Sequence, residues 1–186
     1  MALESLYKGQ QLPLQRSVEA VAIPSGQPVT LEEDTVVQVT QALGTAVTVV
    51  LEYSMYLIEG HDLDALGLEP APRPTLHENA TDEELEAFVW EQLKTCYDPE
   101  IPVNIVELGL VYGCRIDTLI SGEKMVNVRM TLTAPGCGMG DVIAQDAKRK
   151  IESAPQVQKV HIEIVFSPPW SRDMMSDEAK LELNMF

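Results

Sequence analysis

A proline-rich stretch divides this chain before any strand or helix is assigned. Prolines at 70, 72 and 74 lie within residues 69–81. They remove backbone donors and favour extended polyproline geometry, so this stretch reads as a linker. The chain is therefore read as two parts, residues 1–68 and residues 82–186. Its 186 residues are enough for two small domains with cores of their own.

The first part reads as β. Val21 to Ile23 is a short apolar run, and Pro24-Ser25-Gly26-Gln27-Pro28 supplies turn residues. Val36 to Thr40 alternates, Ala42-Leu43-Gly44 is expected to break it, and Thr45 to Tyr53 is rich in β-branched residues. Met55 to Ile58 adds another strand before Gly60-His61-Asp62. Short strands at this spacing predict a small all-β, barrel-like or sandwich module. It carries no constellation of chemical groups, and an interaction or stabilising role is expected.

The second part opens on a capping box, Thr81-Asp82-Glu83-Glu84, followed by a helical stripe of Leu85, Phe88, Val89, Leu93 and Cys96. That stripe makes Cys96 a core residue. After Asp98-Pro99-Glu100-Ile101-Pro102, a strand is predicted with Leu110, Tyr112, Cys114 and Ile116 on its apolar face, which makes Cys114 structural as well. Ser121-Gly122-Glu123 signals a hairpin, and Val126, Val128, Met130 and Leu132 point inward from the second strand. A helix with Met139, Ile143, Ala147 and Ile151 on one face follows. A third strand sets Val160, Ile162, Ile164 and Phe166 together, and Asp177 and Glu178 open a short terminal helix. The order α-β-β-α-β-α predicts an α+β domain, a three-stranded mixed sheet with helices on one face.

Composition narrows the function classes. Thirteen basic against 29 acidic residues give a net charge of −16. That balance excludes nucleic acid and an anionic membrane surface as main partners. No apolar run reaches the ~20 residues of a membrane span. The start Met1-Ala2-Leu3-Glu4 carries an acid early and predicts no signal peptide. Three cysteines imply no disulfide framework, and a reducing cytoplasm is the expected setting.

The chemistry converges on Pro135-Gly136-Cys137-Gly138-Met139-Gly140, where the second strand passes into a helix. A cysteine at a helix N-terminus meets unpaired N–H groups and the positive end of the dipole, which favour thiolate over thiol. The topology brings three segments to one sheet edge: residues 98–108, the Cys137 loop, and residues 168–170. That edge gathers Cys137 with the carboxylates Asp98, Glu100 and Glu107 and the aromatic Trp170.

A family resemblance sits on these same segments. The stretch from Asp98 to Tyr112, Asp-Pro-Glu-Ile-Pro-Val-Asn-Ile-Val-Glu-Leu-Gly-Leu-Val-Tyr, resembles the signature of the metal–sulfur cluster biosynthesis domain. That family includes cytosolic iron–sulfur targeting factors and phenylacetate-oxygenase maturation proteins. Thr131 to Cys137 is similar to its second motif and the stretch through Trp170 to its close, a likeness covering roughly residues 82–176. A β module followed by this domain resembles the bacterial SufT-type branch. The resemblance implies a fold like the C-terminal domain of NifU scaffolds and a non-enzymatic, auxiliary role in iron–sulfur cluster assembly, transfer or maturation of clients. It puts the reactive cysteine at Cys137 and the acidic motif residues at Asp98, Glu100 and Glu107. A transient iron–sulfur cluster or iron is the implied ligand, held by Cys137. Assembly machinery and apo client proteins are the implied partners.

One exposed thiol cannot hold a cluster that usually takes four thiolates. A homodimer, a client or a small thiol is therefore expected to complete the shell. An adaptor that recruits clients without touching iron or sulfur, anchored by Trp170 and its neighbouring prolines, stands as the alternative. For the acids, the plainer reading is that Asp98 caps the turn before Pro99 and Glu107 closes a short helical segment. A hydrolytic cysteine needs a base. His61 and His77 lie outside the second part and His161 lies on the strand away from the edge, so that reading is weak. No Cys-x-x-Cys supports a thiol–disulfide oxidoreductase, and no Lys or Arg near the glycines supports a phosphate cradle.

Overall fold

Alternating β-branched residues build the first unit, and a hairpin and a crossover strand packed by amphipathic helices build the second. The computed structural model describes residues 6–23, 25–43, 46–72, 75–97, 101, 103–133 and 140–185. Contacts divide the chain into two units, Met1–Arg73 and Pro74–Phe186.

In the first unit, six strands form one antiparallel sheet: β1 (Gln11–Pro13), β2 (Val18–Ile23), β3 (Pro28–Leu31), β4 (Val36–Leu43), β5 (Ala46–Leu51) and β6 (Ser54–Ile58). Their order is β1-β4-β5-β6-β2-β3, so β1 and β3 form its two edges. Val18, Val37, Val47, Val49 and Ile58 fill the core beneath. A 3-10 helix, Gly60–Leu66, follows the sheet and adds Leu63, Ala65 and Leu66 to that core. Arg16 fastens this helix. Its Nε donates to Asp64 Oδ2 at 2.7 Å, and one terminal nitrogen reaches Asp62 Oδ1 at 2.8 Å and Asp64 Oδ1 at 2.6 Å. The guanidinium holds the Asp64 carboxyl below its usual range.

Two readings of this unit change. The expected break at Ala42-Leu43 is absent: β4 runs on through it, and a bulge between Val39 and Gln41 absorbs the irregularity, while Gly44 lies outside the described residues. Pro28, expected in a turn, opens β3 at the sheet edge, where a residue without an N–H is tolerated. Gly60-His61-Asp62, which follows the last strand, starts the 3-10 helix.

The second unit begins at α1 (Asp82–Lys94). Thr81 Oγ1 accepts from the Glu84 N–H at 3.2 Å, and Glu84 Oε2 accepts from the Thr81 N–H at 2.8 Å, completing the capping box. Then come β7 (Val111–Thr118), β8 (Lys124–Met130), α2 (Gly140–Ile151), β9 (Val157–Ile164) and α3 (Asp177–Glu182). β7 pairs antiparallel with β8, and β8 pairs parallel with β9. This is the α+β arrangement the helix and strand order implies. The apolar stripes of α1 (Leu85, Phe88, Val89, Leu93) and α2 (Ile143, Ala147, Ile151) close over Val126, Val128, Met130 and Val160. Among the described residues, no helix is long and apolar enough to cross a membrane.

Two side chains leave the faces expected of them. Tyr112 was assigned to the apolar face with Cys114. In the structure Val111 lies opposite Met130 and Cys114 opposite Val128, while Gly113 lies opposite Arg129. This bulge inserts one extra residue, so Val111 joins the core and Tyr112 turns to the open face. Phe166 lies two residues beyond β9 and is exposed rather than continuing its apolar stripe.

Candidate functional site

Within the signature segment, Asn104–Gly109 folds into one tight helical turn. Asn104 Oδ1 accepts from the N–H groups of Val106 (3.0 Å) and Glu107 (2.9 Å), capping the turn at its start. The Leu108 N–H reaches the Asn104 carbonyl at 3.0 Å, and the Leu110 N–H reaches back to Ile105 at 3.0 Å across Gly109, which takes φ 71. That positive φ closes the turn as a left-handed C-cap. Ile105, Leu108 and Leu110 are fully buried, while Glu107 stays half-buried on the outer side. The Ile105 N–H also donates to the Cys96 carbonyl at 2.9 Å, tying the turn to the end of α1.

A second segment clasps this turn through its main chain. Trp170 Nε1 donates to the Leu108 carbonyl at 2.8 Å, and the Ser176 N–H donates to the Glu107 carbonyl at 2.9 Å. Tyr112 Oη donates to the Pro168 carbonyl at 2.8 Å. A Cβ on Gly109 would run into the backbone carbonyl of Met174. Trp170 is partly buried against the core, so it packs over the end of the sheet.

The end of β8 meets the same place. The Thr131 N–H donates to the Leu110 carbonyl at 2.8 Å, and Leu132 lies against Gly140 at the start of α2. Val111 lies opposite Met130, and Met130 opposite Ile164. The start of β7 and the ends of β8 and β9 therefore share one edge, with the Asn104–Gly109 turn and residues 168–176 beside it. Cys137, Asp98 and Glu100 lie outside the described residues, and of these four expected chemical groups only Glu107 is placed. Thr133 and Gly140 bracket the stretch that carries Cys137.

The other two thiols are withdrawn from chemistry. Cys96 is fully buried, its Sγ 3.5 Å from the Gln92 carbonyl. Cys114 is partly buried under α1, and burial pushes its thiol up to about 11, with a smaller push from Glu86. Among the described residues, no three His, Cys, Asp or Glu side chains gather to hold a metal ion. His161 lies exposed on the sheet face away from the core, in a groove with Arg129 and Glu163.

The raised Cys114 thiol gives a measurable expectation. Its ordinary value of 9.0 moves to about 11, so at pH 8 its thiolate is about a hundredfold scarcer than an unperturbed one. Labelling followed by peptide mass spectrometry should show Cys114 lagging an unstructured thiol by about that factor. Because the folded value is raised, the associated stability is complete below about 9 and is lost as pH rises toward 11. Labelling of Cys114 at the rate of a free thiol would refute its burial.

Sequence reasoning missed Asn104, Gly109 and Ser176 as the residues that shape this edge. A signal for the first two was present, because an Asn cap five residues before a Gly is the start and stop pattern of a short helical turn.

Comparison with known proteins places these residues in a family. The profile of the iron–sulfur cluster assembly protein family matches residues 86–164, from α1 to the end of β9. A Porphyromonas gingivalis protein described as an Fe-S protein maturation auxiliary factor is 47% identical over 98 residues, which is 53% of this chain and 90% of that relative. The Staphylococcus aureus Fe-S protein maturation auxiliary factor SufT is 43% identical over 88 residues, 47% of this chain and 96% of the relative. The Bacillus subtilis Fe-S protein maturation auxiliary factor YitW is 36% identical over 104 residues, 56% of this chain and 98% of the relative. With nearly the whole of these relatives matched and the turn, the three-stranded sheet and α2 inside the profile, the chain belongs to the iron–sulfur cluster assembly protein family of SufT type.

Proposed function

We propose that this protein is a non-enzymatic auxiliary factor in iron–sulfur cluster maturation, with the cluster or its iron as transient cargo. The observation that carries this reading is the convergence, within the family-matched unit, of the Asn104–Gly109 turn with the start of β7 and the ends of β8 and β9, where Thr133 and Gly140 flank the Cys137 stretch in sequence. Cys96 and Cys114 are taken up by the core, so the reading rests on Cys137 as the ligand or reactive thiolate. Asp98, Glu100 and Glu107 set the charge and shape around it. Two-iron and four-iron clusters are held by four thiolates or their equivalents. A single Cys137 therefore shares its cargo with a client, a small thiol or a second copy, and passes it on. The client and assembly-machinery partners belong to this proposal, as does a cytoplasmic setting.

The test is anaerobic reconstitution with iron and sulfide, read by metal analysis and visible absorption. Wild type is expected to retain iron and colour, and Cys137→Ala to lose both while keeping its circular dichroism. Glu107→Gln is expected to retain cargo but to change its rate of transfer to an apo client. Wild type that stays colourless and iron-free at every protein concentration overturns the cargo role. Unchanged client maturation by Cys137→Ala would instead leave recruitment as the function.

A further inference from the structure

We propose that a second copy of this chain docks along the free edge of β9 and continues the three-stranded sheet into a six-stranded one. This rests on the β9–α2 edge alone and stands apart from the iron–sulfur reading.

Within its sheet β9 pairs only with β8, so among the described residues its other side is a free edge of eight residues, Val157–Ile164. The Val165 N–H turns to the Met130 carbonyl of β8. Backbone direction alternates along a strand, so Val160, Ile162 and Ile164 aim their N–H and C=O groups at the free side. Beside this edge runs a groove of about 250 Å³, walled by Asp141, Ala144, Gln145 and Lys148 of α2 and floored by residues 160–162 of β9.

Exposed edges are usually blunted by charges. Here the charges are arranged to match themselves. An antiparallel pair of β9 strands with its two-fold axis at His161 sets Val160 against Ile162 of the second copy, each exchanging its free N–H and C=O. The same register puts Lys159 directly across from Glu163 of the second copy, twice, on the solvent face. Among the described residues Lys159 makes no ion pair, and Glu163 meets only Arg129 at 3.3 Å, with the side chains of Arg129 and Glu163 both more than half exposed.

α2 repeats the pattern. The same axis brings two α2 helices side by side and antiparallel. The groove's lining centres between Ala144 and Gln145 on the helix and on His161 on the strand. Around that midpoint Asp141 faces Lys148 of the second copy, and Ala144 lets the helices approach. Among the described residues the Asp141 side chain makes no hydrogen bond or ion pair, and Lys148 makes only a loose contact with Glu152 at 3.8 Å. Two charge arrays on different elements are therefore self-complementary about one axis, as an interface between identical copies requires.

The experiment is sedimentation equilibrium on the full chain. Wild type is expected to dimerise. Lys159→Glu or Glu163→Lys alone places like charges opposite each other at two positions and should weaken the dimer roughly tenfold. The double exchange K159E/E163K restores opposite charges and should return the dimer to near wild-type affinity. Ile162→Pro removes an N–H that faces the free edge, not β8, and should abolish dimerisation with the circular dichroism unchanged. A chain that stays monomeric at its highest soluble concentration overturns the proposal. So does a dimer indifferent to the single reversals, or a double exchange that fails to restore it.

Discussion

Gly109→Ala is expected to destabilise the second unit by about 3 kcal/mol or more. Two effects add. At φ 71 an alanine methyl is strained against its own backbone, which costs about 1–2 kcal/mol. The methyl would also overlap the Met174 carbonyl, and that neighbour is main chain, unable to swing aside. Overpacking of this kind costs typically ~1–3 kcal/mol. Scanning calorimetry should show the second unit's transition lowered by roughly 10 °C or more. Gly113→Ala is the control. It lies in β7 with nothing within 4 Å of an added Cβ, so it should be close to neutral. Equal effects at the two glycines would mean that the turn and the 168–176 segment do not meet as described.

Ile105→Ala is expected to cost about 2–5 kcal/mol, the range for emptying a fully buried site. Ile105 is 0% exposed and sits among Leu85, Leu93 and Leu108 in the core of the second unit. Its amide holds the Cys96 carbonyl and its carbonyl accepts from Leu110, so a cavity there loosens both ends of the turn. Denaturant unfolding would read the loss. Glu107→Gln two positions on should leave stability within about 0.5 kcal/mol, since it changes a partly exposed side chain outside the core. A loss below about 1 kcal/mol at Ile105 would show that the turn is not anchored by burial.

The comparison of these two residues shows what sequence can and cannot reveal. Ile105 falls in an apolar pattern, and such patterns made α1, α2 and the three-stranded sheet legible. The Thr81–Glu84 box was readable because its residues lie three apart and bond to each other. Tyr112 misled because a bulge is a one-residue event set by the facing strand, and alternation carries no mark of it. β1 was missed because three residues, Gln11–Pro13, are too short to show a period. Ser176 and Met174 were invisible as site-shaping residues because their contacts span some 65 residues of sequence and pass through main-chain atoms. The edge itself was legible, since a hairpin followed by a crossover strand leaves only one end where a β7 start meets two strand ends. Of its chemical groups, Glu107 is placed where that topology puts it, with Thr133 and Gly140 on either side of the Cys137 stretch.

The clasp between residues 104–112 and 168–176 also has a consequence for the order in which the protein is made. Every hydrogen bond in it joins residues 56 to 69 positions apart: Tyr112 to Pro168, Leu108 to Trp170, Glu107 to Ser176. Such contacts close late, because the intervening chain must first be ordered. On the ribosome, the acidic turn emerges well before the residues that lock it. The clasped edge is thus finished late, and a nascent chain halted before Ser176 carries the acidic signature without its closure.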